Sequence, residues 1–482
     1  MKIKKRWFVL FCLTAIFSIA GLFTKGSAGD FNLSDKLTAA DYANIAWMIT
    51  ATIFVLMMTP GLAFFYGGMV RAKNVISTML QSFIVMGVVS VVWVVFGFSL
   101  AFGDDIGGVI GNPVQFFMMN NMGCANMVGA DGSQIGLATG TIPLALFALF
   151  QMKFAIITPS LITGSFAERV KFSGYVIFMI LWVIFVYCPL AHWTWHPEGF
   201  LGSMHVHDFA GGIVVHAASG VAALAGAIFL GPRKTEEGKA ANIPFVLLGA
   251  ALLWLGWFGF NGGSSLAADG IAITAFLNAN TAAATAMVSW IFFDCVLGRR
   301  PSAMGAAVAA VVGLVAITPC AGWVSVGESM FIAFVITLIC NFAVTFKAKT
   351  HLFDDALDVF PTHGVGGIVG SIFTGIFAYS YFFPDEATAE ITHMQFFLNH
   401  LVAVLIVCTY TFVVSMALYW LTSKMVRLRV SAKSERIGLD LSQHSEEYGI
   451  DSLGEHTELD EELPTKQEWM QNMGENRTLH KQ

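Results

Sequence analysis

Hydrophobic positions in this chain gather into long unbroken blocks rather than into strand-like alternation or a single helical stripe. Blocks of roughly twenty apolar residues recur between short polar turns, the length a helix needs to cross a hydrocarbon core of about 30 Å. In a bilayer every backbone N–H and C=O must be satisfied within its own element, so such blocks are helices. The pattern predicts spans at 42–65, 75–102, 141–165, 172–191, 211–230, 243–260, 271–297, 304–318, 325–346, 362–381 and 396–426. The expected fold is therefore all-α and polytopic, with eleven transmembrane helices.

The first residues carry a different pattern. Lys2, Lys4, Lys5 and Arg6 precede an apolar stretch from Trp7 to Phe23, and Gly26, Ser27 and Ala28 follow. Positive flank, apolar centre and small residues together describe a signal peptide cleaved after Ala28; an uncleaved extra helix is the competing reading. From Lys424 the composition turns polar, and runs such as Asp460-Glu461-Glu462 belong to a solvated segment. The expected division is 1–28 signal, 29–426 membrane domain and 427–482 cytoplasmic tail.

Charge then fixes an expected orientation. Only 12% of residues are charged, about half the usual share of a soluble chain. The basic residues Arg71, Lys73, Arg169, Lys171, Arg233, Lys234, Lys239, Arg299, Arg300, Lys347 and Lys349 all fall in loops on one side. Loops on the other side carry Asp104, Asp105, Asp131, Glu198, Asp208, Asp269, Glu328, Asp385 and Glu386 instead. By the positive-inside rule the N-terminus of the first span lies outside and the tail is cytoplasmic, in the cell inner (plasma) membrane. The seven cysteines lack metal-knuckle or disulfide-framework spacing and read as small core residues.

Two segments repeat one another. Asp208 stands eight residues before His216 in the fifth span, and Asp355 stands eight before His363 in the tenth. Five spans per half is odd, so the copies run in opposite directions, an inverted five-helix repeat with its site near the midplane; a last long helix follows. His216 shares a helical face with Gly212, Ser219 and Gly220, and His363 with Gly366, Gly367 and Gly370. Small residues let membrane helices approach closely, and the symmetric arrangement sets the two imidazoles side by side. An ionisable residue inside a membrane marks a path for ions or protons by default. The alternative is that each histidine satisfies a buried carbonyl and only holds helices together.

These residues resemble the ammonium transporter family (Amt/Mep, with Rh proteins as distant relatives). The resemblance rests on 60–68, 162–169, 208–216, 256–264 and 355–367, in that order along nearly the whole membrane part. It implies a homotrimer with one pore per subunit, no enzyme activity and no cofactor. His216 and His363 would be the twin-histidine proton relay, and Phe154 and Phe260 a stacked gate above it. Phe150, Trp195 and Ser264 would bind ammonium at an outer recruitment site supported by Asp208, and Trp257 would line the pore. Aromatic faces attract a cation by roughly 0.5–2 kcal/mol, and the Ser264 hydroxyl can accept a hydrogen bond that ammonium donates and potassium does not. Phenylalanines and tryptophans at such spacing are otherwise core or lipid-facing, Ser264 an ordinary turn residue, and Asp208 a cap for free helix N–H groups.

Other features fit this pattern less directly. Lys153 is a basic residue in mid-span beside Phe154, about 100° around the helix from it. Pro361-Thr362 before His363 departs from the commonest wording of the family motif. His192, His196, His205 and His207 gather near Trp193, Trp195 and Asp208, which raises a metal site, yet no regular ligand spacing supports one. In the tail, 436–448 resembles the family's regulatory region, implying coupling between subunits and docking of a PII signalling protein; a disordered tail is the alternative. The sequence thus predicts transport of ammonium or ammonia, with methylammonium as analogue. An ammonium sensor signalling through the tail is the rival of a different class.

Overall fold

The computed structural model describes residues 5–23, 38–120, 122, 142–235, 238–385 and 387–449. The expected cleavage site at 26–28, Cys124, Asp131, Glu386 and the acidic run 460–462 lie outside the described residues. A first helix, α1 (Lys5–Ala20), precedes the bundle. Its ring of Trp7 lies against Phe172.

Ten helices among the described residues are long and apolar enough to cross a membrane. They are α2 (Ala39–Met69), α3 (Ala72–Phe102), α4 (Leu144–Phe166), α5 (Phe172–Ser203), α6 (Gly212–Leu230), α7 (Ile243–Ser265), α8 (Gly270–Val296), α9 (Ala303–Cys320), α10 (Val326–Thr350) and α12 (His393–Met425). Between the last two lies the shorter α11, a π-helical turn at Phe360–Gly364 that runs into Val365–Phe377. It begins earlier than the apolar block predicts, because the Asp355 carboxylate accepts from the Phe360 N–H at 2.7 Å and starts the helix there. Local chemistry sets other starts as well. Thr38, Asn242, Asp269, Ser302, Ser325 and Thr392 each accept a backbone N–H in the first turn of the helix they open. Thr38 with Asp41 and Ser325 with Glu328 complete reciprocal capping boxes.

Elements that occupy matching places in the proposed repeat pack against each other. α2 runs along α7 in the most extensive helix pairing of the bundle, and α6 crosses α11. The crossing is close because of glycine. A Cβ on Gly220 would lie 2.2 Å from the Gly364 Cα, and one on Gly367 would lie 2.8 Å from the His216 Cβ. Gly220 and Gly367 each stand four residues after a histidine, so each helix presents its small residue to the other's histidine turn. α12 braces α5, α6 and α11 from outside.

One departure from an all-helical chain lies after α3. A small hairpin pairs β1 (Asp105–Ile106) with β2 (Ile110–Gly111), turning through Gly107 and Gly108 at φ +70° and +74°. Both glycines adopt a left-handed conformation that side-chain-bearing residues rarely take.

At the opposite end of the bundle, the basic residues form a paired network. Glu168 is buried and accepts from Arg71 Nη2 at 2.6 Å, Asn74 Nδ2 at 3.1 Å and Arg233 Nη1 at 3.3 Å. Arg233 Nη2 lies 2.8 Å from Asp354, and buried Arg169 donates to the Asp354 carbonyl. Burial pushes the Glu168 carboxyl up, but the bonds and charges of Arg71 and Arg233 outweigh it and hold the group below the usual range. The described part of the tail docks on this network. Lys171 N donates to Leu428 O and Val430 N to Arg169 O, at 2.7 and 3.0 Å. Asp440 caps α3 through Ile76 N and Ser77 N, and Leu439 N donates to Asn74 Oδ1 at 2.8 Å.

Candidate functional site

Both histidines sit in π-helical turns at the α6–α11 crossing, His216 in Gly212–Ala217 and His363 in Phe360–Gly364. A π-turn holds one extra residue per turn and re-aims its side chains, and such turns are frequent at functional sites. The turns bring the rings together, with the two Nδ1 atoms 3.3 Å apart. At that distance one Nδ1 carries the proton and the other accepts it, so the two Nε2 atoms differ: one is an acceptor and the other a donor. His216 Nε2 is buried without a hydrogen-bond partner among the described residues.

Aromatic rings continue the line on the side of the acidic loops. Phe260 lies 5.9 Å from the His216 ring and stacks on Phe154 at 4.2 Å and 24°. Phe150 and Trp195 then approach Phe154 edge-on, at 4.9 and 5.9 Å. Trp257 stacks on His216 at 5.3 Å, and its indole N–H donates to Thr318 Oγ1 at 2.9 Å. Thr318, which sequence reasoning missed, fixes the plane of that ring; a threonine at a helix end carries no signal by itself. Around the histidines lies a narrow cavity of about 10 Å³, lined among others by Leu62, Ile157, Leu161, Val215 and Val311. Those walls offer a cation no hydration.

Ser264 closes α7 one residue after Gly263, which packs against Phe150. The Ser264 hydroxyl donates to the Phe260 carbonyl at 2.8 Å, leaving its oxygen free to accept. The Asp208 carboxylate takes four backbone N–H groups, from Gly211, Gly212, Ile213 and Val214, at 2.7 to 3.2 Å. Its carbonyl accepts from the Trp195 indole at 2.9 Å. Asp208 therefore ties the Trp195 ring to the start of the His216 turn.

Two further sets of residues belong to the same end. Of the four histidines there, His192 and His196 stack at 4.4 Å, His207 stacks on Phe382 at 3.7 Å, and His205 pairs with Glu390 at 3.4 Å. No group of three or more metal-ligating side chains is arranged to hold an ion among the described residues. Lys153 is buried in α4, and its ammonium lies 3.7 Å from the Met152 sulfur.

A multi-pass bundle with a narrow aromatic and imidazole line through its middle is the architecture of a conductor for a small polar solute. The comparisons with known proteins agree. Residues 46–448 match the Ammonium Transporter Family. An ammonium transporter of Bacillus subtilis (strain 168) is 41% identical over 411 residues, covering 84% of this chain and 98% of that protein. One from Archaeoglobus fulgidus is 40% identical over 409 residues, covering 84% and 98%. Among solved structures, Candida albicans Mep2 superposes with a TM-score of 0.74 at 32% identity, covering 85% of this chain and 90% of that one. A structure titled Sensor Amt Protein superposes with a TM-score of 0.76 at 30% identity, covering 84% and 99%. The chain belongs to the ammonium transporter family, a family of transporters rather than enzymes.

Proposed function

We propose that this chain recruits ammonium at Phe150, Trp195 and Ser264, deprotonates it at the Phe154–Phe260 gate, and passes ammonia along the His216–His363 pair while the proton moves separately. The observation that carries the reading is the order of groups along one line. An aromatic cup with an acceptor hydroxyl comes first, then a stacked ring pair, then two imidazoles sharing one hydrogen bond. A bare ammonium ion crossing the ring pair and the apolar walls beyond would lose its hydration at a cost of many kcal/mol, whereas neutral ammonia loses far less. The paired imidazoles have one open donor and one open acceptor, enough to carry a proton and to bond a passing solute. Asp208 acts through position, holding Trp195 and the histidine turn, because its oxygens are already engaged. Trp257 walls the pore beside His216.

The wider reading follows the same lines. Residues 1–28 are a cleaved signal, 29–426 the membrane domain and 427–482 the cytoplasmic tail; α11 makes the eleventh crossing. The acidic-loop end faces outward from the inner membrane, and the subunits form a homotrimer with a pore in each. The docked segment 428–448 is the place for a PII protein to act, since movement there reaches Arg169 and Asp354. Purified protein in proteoliposomes, given an ammonium jump on a solid-supported membrane, tests the central claim. The expected result is a saturable current, absent with potassium and lost when His216 and His363 are both leucine. Undiminished ammonium current in that variant overturns the relay. One match is titled a sensor, so a tail-signalled sensor is the second reading; ammonium binding with no current and no uptake favours it.

A further inference from the structure

Trp195 stands on the last turn of the helix Cys188–Trp195, and that turn is clasped from outside by the β1–β2 hairpin. Three contacts make the clasp. His192 Nε2 lies 2.9 Å from Asp105 Oδ1, Trp193 Nε1 donates to Val109 O at 2.7 Å, and Phe200 N donates to Gly108 O at 3.2 Å. The hairpin is itself closed by Asp105, whose carboxylate accepts from Gly108 N at 2.7 and 2.9 Å. His192 is fully buried, and its other nitrogen lies 2.9 Å from the Ala101 carbonyl at the end of α3. The imidazole is therefore bonded on both edges and cannot turn without abandoning a partner. From above, the chain folds back so tightly that a Cβ on Gly199 would lie 2.2 Å from the His192 carbonyl oxygen.

We propose that His192 and Asp105 form a latch that positions Trp195 for ammonium recruitment. The latch touches neither substrate nor gate; it acts through the turn that carries the indole. Without the Asp105 carboxylate a buried ring nitrogen loses its partner and the hairpin loses its closing bonds. The turn then shifts, and Trp195 leaves its edge-on position against Phe154. Recruitment weakens, while gate and histidine pair keep their geometry. The inference rests on the reading of Trp195 as a recruiting residue, and the test separates the two.

Methylammonium uptake is measured in proteoliposomes of the full chain, because this analogue stays cationic across the usable pH range. Asp105→Ala is expected to raise KM about five-fold or more with Vmax within about two-fold, the signature of lost binding rather than lost chemistry. Asp105→Asn, whose amide N–H can donate to the imidazole nitrogen while its oxygen still accepts from Gly108 N, is expected to stay near the unaltered protein. Trp195→Ala is expected to raise KM at least as far as Asp105→Ala. A raised KM in Trp195→Ala with an unchanged KM in Asp105→Ala overturns the latch. An unchanged KM in Trp195→Ala overturns the recruitment reading instead. A fall in Vmax alone in Asp105→Ala also overturns the latch, leaving the pair a purely structural contact. Should Asp105→Ala not yield folded protein, Asp105→Ser, too short to reach the ring, is measured against the same outcomes.

Discussion

At the basic end Glu168 is 2% exposed and accepts from Arg71, Asn74 and Arg233, whereas in the pore His216 is 1% exposed and its Nε2 has no partner among the described residues. Both groups are removed from water, so burial alone does not separate them. What differs is how much of their hydrogen-bonding capacity is already used. Both oxygens of the Glu168 carboxylate are already engaged, and a group whose bonds are all made holds parts in place. The imidazole pair makes one bond between its two members and keeps a nitrogen open, which is what a passing proton or solute needs. Ser264 follows the pore's rule, donating inward and leaving its oxygen open, while Asp208 follows the rule of the basic end.

The largest expected effect comes from breaking the basic end at Glu168. Glu168→Ala removes one partner each from Arg71, Asn74 and Arg233, and removing one member of a buried pair costs about 3–5 kcal/mol. Against a typical domain stability of about 5–15 kcal/mol, that is enough to lower the unfolding temperature sharply or to eliminate folded protein in detergent. An unfolding temperature within about two degrees of the unaltered protein would mean that the network contributes little, and the contrast drawn above would fail.

The same substitution strategy in the pore should behave in the opposite way. Leucine at both His216 and His363 replaces two polar rings by apolar groups of similar size. Replacing both partners of a buried hydrogen bond is about neutral for stability. Thermal unfolding of this double variant is expected to stay close to that of the unaltered protein while its ammonium-evoked current falls at least about ten-fold. If the double variant instead unfolds as readily as Glu168→Ala, the histidines hold the crossing together, and the open Nε2 is incidental.

How far the sequence foretold this contrast depends on which kind of signal each residue carries. Apolar blocks foretold the helices, because a bilayer forces backbone bonds to close locally. The eight-residue spacing from Asp208 to His216 and from Asp355 to His363 foretold that the rings would meet. Its reason is visible in the fold: each aspartate accepts backbone N–H groups at the start of the turn that carries its histidine. The π-turns themselves were not legible, since no composition marks one extra residue in a turn. Nor were the contacts of Thr318 with Trp257 or of Asp105 with His192, which join residues 61 and 87 positions apart. Arg71 and Arg233 were visible as loop charges, but their pairing with Glu168 and Asp354 depends on where four separate loops converge. Lys153 kept its oddity: the structure places its amine beside a methionine sulfur rather than a carboxylate.

A smaller effect sharpens the comparison through pH. Burial pushes the Asp354 carboxyl up, but the bonds from Arg233 and the charges of Arg169 and Arg233 outweigh it and bring it from 3.8 down to about 2. A carboxyl held lower in the folded than in the unfolded chain contributes stability that is complete above the unfolded value. That contribution is lost as pH falls through the folded one. The difference corresponds to about 2 kcal/mol, present at neutral pH and draining away between about pH 4 and pH 2. Unfolding temperature in detergent should therefore fall on acidification through this window. Asp354→Asn should start lower at neutral pH, where Arg169 and Arg233 have lost a counter-charge, and should show a shallower acid decline. The double leucine variant of His216 and His363 should keep the full decline. The contrast is what matters: if Asp354→Asn and the unaltered protein decline in parallel, the acid sensitivity belongs to other carboxylates, and the basic end is not the part of the bundle whose charges govern its stability.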